Sequence, residues 1–359
     1  MTSVASVHAL CLSLAVSSLF AAATAAMAQQ APPKTDLPVI DRDVTVMDKD
    51  GTARIMRVLP LPRTVSPEAQ ALLATGVSWA PNQNSPAGQK LVERARQLYP
   101  VTIEDKTLAG VKVKYVSPAR GIPAAKRDRV LINLHGGGMR TDSGSLLESI
   151  PIAKLTQTLV VTVSYRLPKP PSTDLFPAPV DDVIAVYREL LKTYKPSKIA
   201  IYGTSAGGGL TAQTAVRIRH DKLPQPAALG IFSAGGDQSE NTESGAMFAV
   251  PGLIGAVIPP PGPRKSEYLG DHDPKDPLAS PIYADLKGFP PTLSMTATRD
   301  TALVATVNFN RALRRAGVDA ELVVFDSLPH AFWYTMGIPE STEALETQAR
   351  FLDRHLGGK

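Results

Sequence analysis

The chain has 359 residues, 43% of them hydrophobic, and a net charge of +5, an ordinary globular composition for one large domain or a core with an accessory piece. Its Lys and Arg residues are interspersed with Asp and Glu, and no basic run with interleaved aromatics occurs, which argues against a nucleic-acid partner. The one cysteine, Cys11, lies near the N-terminus, so a chain cleaved beyond it has no disulfide, no cysteine-based zinc site and no thiol nucleophile.

Residues 9–26 are uncharged and rich in Leu, Ala, Val and Ser, and the triplet Ala26-Met27-Ala28 closes the run. This pattern reads as a signal peptide over residues 1–28, implying a periplasmic or secreted protein with no stable membrane association after cleavage. No Lys or Arg precedes the apolar run, and an uncleaved anchor is the alternative, although the run is short for a spanning helix.

Residues 29–62 are Pro-rich and charged and read as extended chain. Ser66-Pro67-Glu68 marks a helix start, with Ser as N-cap and Pro at the first helical position. A second helix is predicted over 86–98, where Leu91, Val92, Ala95 and Leu98 recur at helical spacing. The segment 29–100 therefore supplies either cap helices or a packing flank to the main core.

From residue 101 the pattern alternates. Strands are predicted at 102–104, 111–116, 130–134, 159–163, 199–202, 228–232, 292–295 and 322–325. Helices are predicted at 146–156, 179–194, 206–220, 301–316 and 341–356. Continuous apolar strands alternating with helices indicate a mostly parallel sheet covered on both faces, an α/β fold. Ligands in such sheets bind beyond the carboxyl ends of the strands. One Gly-, Pro- and Ser-rich interval, 239–281, breaks the rhythm and carries an apolar patch at 247–258; an insertion over the sheet is expected at about 237–285.

The strand-end residues carry the chemistry. His135-Gly136-Gly137-Gly138 follows the run at 130–134, and glycines there leave amide N–H groups facing a site. Neither phosphate-binding glycine pattern is present at this turn. Gly203-Thr204-Ser205-Ala206-Gly207 joins a strand directly to a helix. A G-x-S-x-G match alone arises by chance in about one chain in ten of this length. Between strand and helix it predicts a strained elbow that presents Ser205, with the Ala206 amide and a helix N-terminus beside it. Gly209 gains no chemical role and is expected to let the helix pack close to the sheet.

A serine nucleophile needs a base, and in an elbow fold the partners follow in the order Ser, acid, His. His330 follows a late strand in the loop Asp326-Ser327-Leu328-Pro329-His330, whereas His135, His220, His272 and His355 lie elsewhere in the pattern. Asp300, at the end of the run before a helix, is the favoured acid, with a plain N-cap role as the alternative. Asp326 is the rival acid, close in sequence to the histidine.

These residues, with Tyr165-Arg166-Leu167-Pro168, Phe176-Pro177-Ala178-Pro179-Val180-Asp181-Asp182 and Asp276-Pro277-Leu278-Ala279-Ser280-Pro281, resemble the hormone-sensitive-lipase-like esterases, bacterial α/β-hydrolases of family IV with a G-T-S-A-G elbow. The resemblance implies an eight-stranded α/β-hydrolase domain over 101–359 with a helical cap. It implies hydrolysis of short- to medium-chain carboxylic esters, a small-molecule ester as partner, and no metal or cofactor; a homodimer is left open. Carried over, Ser205, Asp300 and His330 are catalytic, and Gly136, Gly137 and Ala206 form the oxyanion hole. Tyr165, Arg166 and Asp182 are expected to hold a turn by charge pairing. Met139 stands where the family has an aromatic, and the segment 169–174 is longer than the family's usual link. A lipase, a lactone or polyester hydrolase, a serine peptidase and a non-catalytic ligand-binding homologue remain as alternatives.

Overall fold

The structure is a computed structural model that describes residues 44–51, 53–56, 59–75, 82–168, 175–248 and 266–357. The signal peptide predicted at 1–28, the link at 169–174 and residues 249–265 of the insertion lie outside the described residues.

β1 (Val44–Met47) and β2 (Ala53–Met56) form an antiparallel hairpin where the sequence suggested only extended chain. The tight turn between them puts Gly51 at φ +87°, and the Gly51 amide donates to the Asp48 carbonyl. Such a left-handed turn position favours glycine, and with it the short alternating runs can pair.

α1 (Pro67–Thr75) begins as its Ser66 cap predicts, and α2 (Pro86–Leu98) matches the predicted bounds, with Ser85 as its cap. The Ser66 hydroxyl accepts from the Ala69 amide and the Ser85 hydroxyl from the Gly88 amide, both at 3.1 Å. Each satisfies one orphan helix donor, worth about 1 kcal/mol. Ala69 and Ala95 are fully buried in a core shared with Leu147, Ile150 and Trp333, so both helices pack onto the helical layer over one face of the sheet. Between them, Asn82 reaches the loop that follows the 135–138 glycine run and donates to the Thr141 hydroxyl.

The main sheet comprises β3 (Val101–Leu108), β4 (Val111–Pro118), β5 (Val130–Leu134), β6 (Leu159–Val163), β7 (Ile199–Thr204), β8 (Ala228–Phe232), β9 (Thr292–Arg299) and β10 (Ala320–Pro329). Its order is β10-β9-β8-β7-β5-β6-β4-β3. β3, β4 and β6 pair antiparallel, and every pairing from β6 through β5 to β10 is parallel. β5, β6, β7 and β8 are buried along their whole length, which explains their uninterrupted apolar runs.

α3 (Ser145–Thr156) and α8 (Pro339–Leu356) cover one face through Leu147, Ile150, Leu345 and Leu352. α4 (Ala178–Leu190), α5 (Ala206–His220) and α7 (Leu303–Arg315) cover the other through Val183, Leu210 and Phe309. The predicted helix at 179–194 stops at Leu190, where turns replace it up to Tyr194. Of the insertion, α6 (Glu243–Phe248) is described; it packs on α7, and the Ser244 hydroxyl donates to the Thr301 carbonyl at 2.9 Å. No helix among the described residues is long and apolar enough to cross a membrane.

Candidate active site

β7 ends at Thr204 and α5 begins at Ala206, so the turn between strand and helix is Ser205 alone. Its backbone sits at φ 59°, ψ −122°, a strained conformation for a side-chain-bearing residue that costs on the order of 1–3 kcal/mol. Flanking glycines make the turn fit. A Cβ on Gly207 would lie 1.8 Å from the Leu134 carbonyl oxygen, and one on Gly203 would lie 2.3 Å from it. Gly208 is similarly confined by Ala234, at 2.6 Å. Gly209 departs from expectation: a Cβ there would make only ordinary contacts at 3.6 and 3.8 Å, so close packing does not require it. The Ser205 amide is anchored to the Phe232 carbonyl at 2.8 Å, and as the first residue of α5 Ala206 has no preceding turn to receive its amide.

The glycine loop after β5 lies against this elbow, with the Cβ direction of Gly136 3.4 Å from the Cβ of Ser205. Gly137 adopts φ +118°, and a Cβ on it would fall 1.8 Å from the Thr141 carbonyl oxygen. Turn bonds hold the carbonyls of both glycines: Ser143 donates to Gly136 at 3.3 Å and Arg140 to Gly137 at 3.0 Å. Neither glycine amide donates to a backbone carbonyl among the described residues. Behind the loop, the buried His135 ring stacks on Tyr165 at 4.2 Å, and the Tyr165 hydroxyl donates to the His135 carbonyl at 2.6 Å. Tyr165 thus fastens the loop, while the Arg166 amide and guanidinium both bond Asp182, as the charge-paired turn predicts.

His330 follows β10 and its Nδ1 donates to Asp300 Oδ1 at 2.7 Å. Asp300 is fully buried. The Ala302 amide also donates to Oδ1, at 2.8 Å, while Oδ2 accepts from Ser233 at 2.5 Å and Thr296 at 2.8 Å. Burial alone would raise the carboxyl's pKa. The facing imidazole and these donors outweigh it and hold the group below the usual carboxylate range. For His330 burial pushes the pKa down, and the charge and hydrogen bond of Asp300 overcome it, leaving the imidazole raised. An ionised Asp300 can only accept, so the Nδ1 proton points at it and neutral His330 leaves Nε2 bare.

The plain N-cap reading of Asp300 is not met: the N-cap of α7 is Ala302, with no side-chain cap bond, and Asp300 accepts the Ala302 amide in the turn before the helix while it holds His330. Asp326 takes hydrogen bonds from Thr64 and Thr298 instead. Among the other histidines, His220 is exposed at the end of α5 and pairs with Asp221, and His272 meets the edge of Phe176. Ser233 and Thr296 gave no sequence signal, since small hydroxyls are common at strand ends. Glu148, Asn133 and Tyr334 form a buried hydrogen-bonded group, but they lie on a helix, a strand and a turn, and no shared periodicity links them in the sequence.

Residues 131–334 match a family described as alpha/beta hydrolase fold. The chain belongs to the α/β-hydrolases, in their hormone-sensitive-lipase-like family. This hydrolase is 31% identical to an esterase from the bacterial hormone-sensitive lipase family, whose crystal structure matches at a TM-score of 0.67 over 81% of this chain and 99% of that one. The crystal structure of esterase E25 matches at 0.70, with 29% identity over 84% of this chain and 97% of its own. An acetyl-hydrolase of Streptomyces hygroscopicus is 30% identical over 239 residues, 64% of this chain and 77% of that protein.

In this hydrolase Ser205, Ala206, Gly137, Met139, His330 and Tyr334 border one cavity of about 580 Å³ at the carboxyl ends of the strands. Met139, at φ 60° and buried, forms part of its wall. No group of His, Cys, Asp and Glu among the described residues has a metal-holding arrangement.

Proposed function

We propose that this hydrolase is a serine carboxylesterase acting on short- to medium-chain esters, with Ser205 as nucleophile, His330 as base and Asp300 as the acid that orients it. The observation that carries the reading is the 2.7 Å bond from His330 Nδ1 to a wholly buried Asp300, with His330 and the strained Ser205 on one cavity. Relatives named acetyl-hydrolase and esterase support the choice of ester as the bond attacked.

The ester enters the cavity with its carbonyl carbon toward Ser205. Neutral His330 accepts the hydroxyl proton at Nε2 as Oγ attacks, and Asp300 stabilises the imidazolium that forms. Negative charge grows on the carbonyl oxygen. The amides of Gly136, Gly137 and Ala206 are its donors, each worth on the order of a hundredfold in rate. Positive φ and turn bonds fix this loop before substrate arrives, so little reorganisation is needed during the reaction. His330 passes its proton to the departing alcohol, leaving an acyl group on Ser205. A water activated by the same imidazole then releases the acid.

The test is a p-nitrophenyl ester series from acetate to decanoate, with mass spectrometry of the acyl-enzyme. Turnover falling with chain length and acylation at Ser205 are expected. Turnover retained by Ser205→Ala would overturn the assignment, and preference for long chains would favour a lipase.

A further inference from the structure

We propose that Ser233 is a positioning residue of the hydrolytic site, the point at which the acid and the histidine loop are locked to the nucleophile's strand. The inference rests on the reading of Ser205, His330 and Asp300 given above and adds a residue to it.

Ser233 is the first residue after β8, and it is 1% exposed. Its hydroxyl donates to Asp300 Oδ2 at 2.5 Å and accepts from the Ala331 amide at 3.4 Å. Ala331 is the residue after His330, so one oxygen atom bridges the acid and the loop carrying the base. The backbone adds two further ties. The Ser233 amide donates to Met295 at 2.7 Å, on the strand that leads to Asp300. The preceding carbonyl, of Phe232, receives the Ser205 amide at 2.8 Å. Three chain segments distant in sequence thus meet at one dipeptide.

Two features separate this from routine satisfaction of a buried serine. Ser233 holds φ +46°, a left-handed conformation that costs a non-glycine residue energy and is sustained here by the surrounding bonds. Thr296 already donates to the same carboxylate oxygen at 2.8 Å, so Asp300 does not need Ser233 to be satisfied there. What Thr296 lacks is the bond to the histidine loop. Ser233 sets the distance between Asp300 and His330, and it draws negative charge from the carboxylate that faces the imidazole.

The experiment uses the full chain and p-nitrophenyl acetate, with kcat, KM and the pH dependence of kcat/KM measured for Ser233→Ala, Ser233→Gly and Thr296→Ala. Glycine relieves the positive φ, so Ser233→Gly removes the hydroxyl without adding backbone strain. In both Ser233 variants kcat is expected to fall about 10- to 100-fold, as for loss of a hydrogen bond to a charged group, with KM within about twofold. The acid limb of kcat/KM is expected to move up by about half a pH unit, because a less satisfied carboxylate favours the imidazolium. Thr296→Ala is expected to move the limb with a smaller loss of kcat. A folded Ser233→Gly or Ser233→Ala chain with wild-type kcat and an unmoved limb overturns the proposal. A fluorophosphonate probe, applied in parallel, is expected to label Ser205 of the wild-type chain. Absence of that label would overturn the nucleophile assignment itself, an outcome distinct from any behaviour of the Ser233 variants.

Discussion

The phenolic hydroxyl of Tyr334 donates to the carboxyl of Glu148, and both groups are buried in the interior. The bond ties the turn that follows His330 to α3, the helix that follows the glycine loop. Asn133, next to the end of β5, donates to the second carboxyl oxygen at 2.8 Å and is itself held by Thr162. Tyr334 also lines the cavity that Ser205 and His330 border.

Burial pushes the Glu148 carboxyl up from 4.5 to about 8, against the opposing pull of its Tyr334 and Asn133 hydrogen bonds. The folded chain therefore keeps this proton where the unfolded chain has lost it. The stabilisation is complete below the unfolded value and declines as pH rises toward about 8. Over that window one retained proton corresponds to a slope of up to about 1.4 kcal/mol per pH unit. Thermal unfolding followed from pH 5 to 8 is expected to show a falling midpoint, and Glu148→Gln is expected to flatten the fall.

Tyr334→Phe removes the donor and leaves a buried carboxyl oxygen without it. The expected loss is about 1–3 kcal/mol in a urea titration. An unchanged midpoint would show that the carboxyl finds another partner.

On the proposed mechanism His330 must be neutral to accept the Ser205 proton, and its pKa is raised in the folded state. Activity is thus expected to fall as pH drops through a midpoint above the ordinary imidazole value of about 6.5. A kcat/KM profile of the wild type locates that midpoint, and one well below this value would contradict the Asp300 pairing.

Asp300→Asn preserves size but presents the imidazole with an amide in place of a carboxylate. Neutral histidine then loses its fixed tautomer, and kcat is expected to drop by about three to four orders of magnitude. Asp326→Asn, which touches Thr64 and Thr298 rather than His330, is expected to stay within about threefold of wild type. Steady-state kinetics of the two variants distinguish the acids.

Gly137 and Gly138 both have positive φ, yet only Gly137 is crowded, by the Thr141 carbonyl at 1.8 Å. Gly137→Ala is expected to displace the loop and cost at least about a hundredfold in kcat, with Gly138→Ala far milder. Equal losses in the two variants would mean that backbone freedom, rather than space, governs the loop.

Much of the fold was legible because parallel strands buried on both faces write themselves as unbroken apolar runs. The runs 130–134, 159–163 and 228–232 match β5, β6 and β8 residue for residue. The helix start at Ser66 was equally plain, since capping is local chemistry, and the helix over 86–98 was legible from its apolar spacing. The N-terminal hairpin was not, because its register comes from a turn at Gly51 rather than from burial. Asp300 illustrates the limit at the site: its sequence neighbours offer a helix cap or an acid, and the structure puts Ala302 at the cap and Asp300 against His330.

The sequence alone determined the strand-and-helix order, the elbow at Ser205 and the identities of the acid and histidine candidates, since each depends on residues adjacent in the chain. Only the tertiary structure decided that Ser233 bridges Asp300 and the His330 loop, and that Glu148 and Tyr334 share a buried hydrogen bond. Those partners lie 67, 98 and 186 positions apart. A hydroxyl or carboxyl gains its meaning there from what burial places within about 3 Å, and no local pattern of residues records that distance.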